Sequence, residues 1–230
     1  MSTKRSHRRS SPPPSRAQSA AQTREALLRA GARLFGARGL DAPSLDEICE
    51  AAGKTRGAFY VHFGDRDAFL VAVMQWLGVP LLEQLFAPDS DGDAGLATVA
   101  MRFLAAVGSG AYPLTRDGGV RPHQLVDACL RSPAIREHYL GLVEDSIARV
   151  GEAIASDQRR GRVRADLDAR DLATVVLAAV IGAQTLLELR APVALERAAA
   201  TLLAAVSQDA TQRPDAPPRR ARTRRRVASP

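Results

Sequence analysis

The 230-residue sequence contains no asparagine, two lysines (Lys4 and Lys54), two cysteines (Cys49 and Cys129) and ten aromatic residues. Two cysteines cannot make a disulfide framework in a chain of this length. Neither has a Cys or His neighbour at zinc-ligand spacing, so neither a metal nor a cofactor is expected, and the expected setting is reducing and cytoplasmic. Long apolar runs are also missing. The longest, Leu172 to Leu187, falls short of the roughly 20 residues of a spanning helix, contains Thr174, Gln184 and Thr185, and is flanked by Asp168, Arg170, Asp171, Glu188 and Arg190. No membrane partner is expected, and no signal-type apolar stretch follows the basic start. A Gly-rich phosphate loop, a Gly-x-Ser-x-Gly elbow and a His-Glu-x-x-His helix are absent, which argues against an enzyme. No segment alternates in the manner of a strand.

What is present is a packed body with charged ends. The chain is 46% apolar and 25% charged, with a net charge of +7, which excludes disorder throughout. Residues 1–20 carry five basic residues and no acid, and residues 208–230 carry seven arginines against two aspartates, leaving the middle slightly acidic. Both ends are rich in proline and serine, so residues 1–20 and 209–230 are expected to be disordered basic arms. The five basic residues of the N-terminal arm either track nucleic-acid phosphates or enter an adjacent minor groove, or the arm simply solubilises the chain.

Between the arms the pattern is helical, and the expected fold class is all-α. Leu27, Ala30, Leu34 and Ala37 form an apolar stripe on a first helix that stops at Gly39, with Leu40 as the apolar follower of a left-handed cap. Ser44 and Glu47 make a reciprocal capping box for a helix over 45–52, which Gly53 ends. Thr55 caps a helix to about His62. Asp65 caps a fourth that continues through Phe69, Val73, Trp76 and Leu77. Further helices are expected at about 95–107, 122–130, 133–159, 168–190 and 193–208.

Residues 44–63 have the length and punctuation of a helix-turn-helix. Ile48, Ala52, Phe59 and Phe63 face the first helix, while Arg56, Tyr60, Val61 and His62 point outward from the second half of the motif. Gly57 and Ala58 leave room for the helix N-terminus to approach a phosphate backbone. The run Ala51-Ala52-Gly53-Lys54-Thr55-Arg56-Gly57-Ala58-Phe59-Tyr60-Val61-His62-Phe63, followed by Asp65-Arg66-Asp67-Ala68-Phe69-Leu70 and preceded by Leu34-Phe35 and Gly39, resembles the tetracycline-repressor (TetR) family of bacterial transcription regulators over about residues 22–72. The resemblance implies a DNA-binding domain at 21–68 and a helical ligand-binding and dimerisation domain at 69–208. It also implies phosphate contacts from Ser44, Thr55, Tyr60 and His62, base-edge positions at Arg56, Ala58 and Val61, and a backbone grip from Arg66. Lys54 departs from the pattern, which usually has an apolar residue there. It either snorkels outward to a phosphate or strains the turn.

The segment 172–187 is apolar around nearly its whole circumference, which one covered side does not justify. With the helix after it, it is expected to pair two copies through Leu172, Val176, Ala179, Ala183, Leu187, Leu195, Leu202 and Val206; the competing reading is that these residues fill their own domain. A homodimer would read a palindromic, inverted-repeat operator in double-stranded DNA. The helices over 67–159 would enclose a largely aliphatic pocket for a small-molecule inducer of unknown identity, with Trp76, Met101, Phe103, Tyr112, Leu125, Tyr139 and Val143 as candidate walls. The expected protein is thus a cytoplasmic, nucleoid-associated repressor. The rival reading is a nonspecific nucleoid or RNA-binding protein driven by its arms.

Overall fold

The computed structural model describes residues 15–89, 92, 94–110 and 120–208. Among the described residues it is all-α, with nine helices: α1 (Arg16–Arg38), α2 (Leu45–Ala51), α3 (Arg56–His62), α4 (Arg66–Leu85), α5 (Leu96–Gly108), α6 (Pro122–Arg131), α7 (Pro133–Arg159), α8 (Ala169–Glu188) and α9 (Leu195–Val206). Most of the arm residues, 1–14 and 209–230, and Tyr112 lie outside the described residues.

Local chemistry sets the helix starts. Ser44 accepts from the Glu47 amide at 3.2 Å while the Glu47 carboxylate accepts from the Ser44 amide at 2.7 Å, the expected box. Thr55, Asp65, Ser132 and Asp168 cap α3, α4, α7 and α8 with their side chains. The first helix starts earlier than expected. Ser15 and Gln18 make a second capping box, so α1 begins at Arg16, inside the stretch read as an arm.

One helix end also differs from expectation. Gly39 has φ 85° and ψ 172°, which is not the left-handed helical cap but an extended region that only glycine tolerates. A Cβ there would also sit 2.3 Å from the end of the flexible Gln124 side chain, which can shift, so it is the backbone conformation that requires glycine. α4 continues through Leu77, as expected, and on through the exposed Pro80 to Leu85. The missing amide lies on the solvent side, while Leu81, Leu82 and Leu85 turn inward and hold the last turns.

The packing has two centres. Phe35, Ile48, Phe59, Phe63 and Phe69 form an aromatic-rich core under α1–α4, and Leu125, Cys129 and Ile135 from α6 and α7 extend it. Packing therefore continues across residues 68 and 69 without a break. The second core gathers Leu96, Val150, Ile154, Leu172 and Val206 from α5, α7, α8 and α9. By length and composition alone α4 and α8 are apolar enough to cross a bilayer, a correction to the reading of Leu172 to Leu187 as too short. Both are bundle helices here: α4 packs on α1 and α7, and α8 packs along α7.

Candidate nucleic-acid interface and the adjoining cavity

α2 and α3 are each seven residues, too short to persist alone in water. Aromatic packing fixes α3. Phe59 is fully buried, with ring centroids 5.1 Å from Phe69 and 5.3 Å from Phe63, and Phe63 meets Phe69 edge-on at 4.8 Å. Gly53, at φ 62°, makes the turn that brings α3 across α2.

The face of α3 opposite Phe59 carries Arg56, Gly57, Tyr60 and Val61, all exposed. Val61 is 79% exposed and Tyr60 51%, the Tyr60 ring meeting Phe59 edge-on at 5.4 Å. Ala58 and His62 flank them half-buried. A Cβ on Gly57 would meet nothing closer than Thr55 Oγ1 at 3.7 Å, so the open space at this helix start is not taken by the protein itself. Arg56 reaches back to Asp46 of α2 at 3.4 Å. Its hydrogen bond with Tyr60, and next the Asp46 charge, push its pKa further up.

The other expected contacts are partly committed to the fold. The Ser44 hydroxyl donates to Glu47 at 2.9 Å, and Thr55 accepts from the Ala58 amide at 3.2 Å. Lys54 is half-buried, with its amide bonded to the Cys49 carbonyl at 2.8 Å. The Arg66 guanidinium donates to the carbonyls of Pro43 at 2.7 Å and Leu40 at 2.6 Å and lies over the Phe35 ring at 5.6 Å, so it clamps the α1–α2 turn. Two partnerships escaped sequence reading, Arg38 with Glu47 at 2.6 Å and Arg56 with Asp46. Both cross a turn, so no helical spacing announces them.

Behind this module lies a cavity of about 420 Å³ between α4, α5, α7, α8 and α9. Phe103, Leu125, Tyr139 and Val143 line it, as the sequence led one to expect. Trp76 does not; it packs against the first core. Met101 is 64% exposed and points away. Of the residues read as a pairing surface, Leu172 and Val206 belong to the second core, Val176, Ala183, Leu195 and Leu202 line the cavity half-buried, Ala179 lines it at an exposed position, and Leu187 is half-buried. The outer face of α8 is Val175, Ala178, Gly182 and Leu186, with Leu189 just past the helix end; Val175 is 57% and Leu189 72% exposed.

α6 connects the two regions. Arg131 pairs with Asp41 at 2.9 Å, Gln124 packs on Gly39, and His123 pairs with Glu188 at the end of α8. His138 lies half-buried with Nε2 unpartnered among the described residues, and burial pulls its pKa down.

A short capped helix, a glycine turn and a second helix with an uncovered outer face define a helix-turn-helix module mounted on a helical body. Residues 27–73 match the model of bacterial regulatory proteins of the tetR family. The chain is 49% identical over 50 residues to the HTH-type transcriptional regulator AcrR of Shigella flexneri, covering 22% of this chain and 23% of that protein. It is 37% identical over 90 residues to the uncharacterized HTH-type transcriptional regulator TtgW of Pseudomonas putida, covering 39% and 66%. The chain thus spans less than two thirds of the length of these curated relatives. The crystal structure of the regulatory protein TetR from Rhodobacter sphaeroides superimposes with a TM-score of 0.65 at 24% identity, over 79% of this chain and 97% of that one. Over residues 27–73 the chain thus resembles the tetR family of bacterial regulatory proteins.

Proposed function

We propose that this chain is a sequence-specific DNA-binding transcriptional repressor that reads an inverted repeat as a homodimer and is released by a small molecule. The observation that carries the reading is the exposed quartet Arg56, Gly57, Tyr60 and Val61 on a helix pinned from behind by Phe59 and Phe63. An arginine fork suits guanine O6 and N7, and Val61 suits a thymine methyl. Tyr60 and His62 flank these positions and serve phosphates, as do Ser44, Thr55 and Lys54.

One seven-residue helix reads few bases, so specificity needs two copies about one helical turn apart. The outer stripe of α8 supplies the pairing surface: Val175, Ala178, Gly182 and Leu186 recur at three- and four-residue steps and leave an apolar face that water does not favour. α4 is the route from cavity to DNA, because Phe69 and Val73 sit in the core beneath the recognition module while Leu77 and Leu81 line the cavity. A ligand that prefers another spacing of the two modules releases DNA with a coupling on the order of 1–3 kcal/mol.

Selection of bound fragments from genomic DNA tests the reading. An inverted-repeat motif preferred over random DNA by ~10³ or more supports it. Equal affinity for both pools sinks it in favour of a nonspecific binder. Light scattering on the purified chain should give twice the 24.6 kDa chain mass.

A further inference from the structure

We infer that the cavity selects an uncharged, lipophilic small molecule and rejects organic cations and anions of the same size; this rests on reading the cavity as the effector site. The wall carries the argument. Among the 34 described residues that line the cavity there is no Asp, Glu, Lys, Arg or His. Polar side chains come only from Tyr139, Ser146 and Gln184. The Ser146 hydroxyl is already bonded to the Leu142 carbonyl at 2.7 Å in its own helix. The other lining residues are apolar, and apart from Tyr139 only Phe86 and Phe103 are aromatic, so contact is chiefly aliphatic.

A charge entering such a space sheds part of its hydration shell and meets no counter-ion among the described lining residues. A neutral molecule loses little and gains the transfer free energy of its apolar surface. The volume falls in the range of drug-sized sites, which start at ~300 Å³. Burial also pushes the Tyr139 hydroxyl pKa up, so it stays a neutral donor and acceptor at physiological pH. One polar group on the ligand can therefore be accommodated, and an ionised group cannot.

The position of the cavity gives the choice a consequence. Its wall includes Leu40, which directly follows the Gly39 end of α1, and Leu70 and Val73, which share a core with Phe59 of α3. A bound lipophile therefore touches side chains of the same core that holds the recognition helix.

The test uses the full chain and the neutral fluorescent dye N-phenyl-1-naphthylamine, displaced by decan-1-ol, decanoate or decylammonium below their aggregation limits. Dye binding, with decan-1-ol displacing at least tenfold more effectively than either ion, is the expected result. The cavity-narrowing variants Ala100→Phe and Ala199→Phe should each weaken dye binding at least tenfold with far-UV circular dichroism unchanged. Equal or stronger displacement by an ion, no dye binding, or dye binding undiminished in both folded variants would overturn the inference. The ranking on the natural chain decides the matter even if a variant fails to fold. The assay contains no DNA, so it fails separately from the regulator reading: selective DNA binding without lipophile binding removes only the inference, and the reverse outcome removes only the regulator.

Discussion

Arg56 and Arg66 stand ten positions apart, each at the first position of a helix, and the same pattern reading assigns both to DNA. Their surroundings separate them. Arg66 is half-buried and donates to two loop carbonyls, and hydrogen bonds to charged groups contribute ~1.5–3 kcal/mol each in favourable settings. Arg66→Ala should lower unfolding stability by about 1–3 kcal/mol in denaturant titrations. Arg56 is exposed and held only by Asp46 and Tyr60. Arg56→Ala should leave stability within about 0.5 kcal/mol and relax base preference at one position per half-site by about 1–3 kcal/mol. Binding measured against a panel of single-base operator variants checks this. A stability loss from Arg56→Ala matching that from Arg66→Ala would contradict the division of labour.

The short α2 depends on its charged end. Arg38 first, and then the Ser44 amide, pull the Glu47 carboxyl down from 4.5 to about 2. Because the folded value lies below the unfolded one, this stabilisation is complete above pH 4.5 and disappears as pH falls toward 2. Glu47→Gln should therefore flatten the loss of stability between pH 5 and pH 3, measured by urea unfolding at each pH, while lowering stability at pH 7. An unchanged acid limb would show that other carboxylates govern it. The box itself was legible, since Ser-x-x-Glu before an apolar run is a local signal. Arg38 was not, because the chain turns between it and Glu47. The same distinction explains α1 and α4. The Ser15 to Gln18 box marks the true start of α1 in the sequence, hidden by a compositional reading of the arm. The passage of α4 through Pro80 depends on the cavity wall that its last turns help to build.

At the scale of the molecule, α8 is the most consequential helix. Its apolar circumference was evident, and so was the need for cover on two sides. Which residues faced which side was not. Val176 and Ala183 line the cavity, and Val175 and Leu186, with Leu189 just past the helix end, face outward. Leu186→Glu, near the middle of the outer stripe, should therefore break the pairing of copies and weaken operator binding at least tenfold while leaving helicity intact. Sedimentation at micromolar concentration checks this. Ala183→Glu, on the inner side, should instead destabilise the fold, since it places a carboxylate in a wall without a counter-charge. If the two variants behaved in the reverse way, the assignment of faces would be wrong.

The sequence by itself determined the helices, most of their caps, the helix-turn-helix and the aromatic set beneath it, because each rests on spacings of three and four residues or on a cap read within one turn. Only the tertiary structure decided the role of Arg66, the partner of Arg56, the wall of the cavity and the outward face of α8. Those depend on which distant segments meet, and a helical stripe carries no label for the neighbour that will cover it.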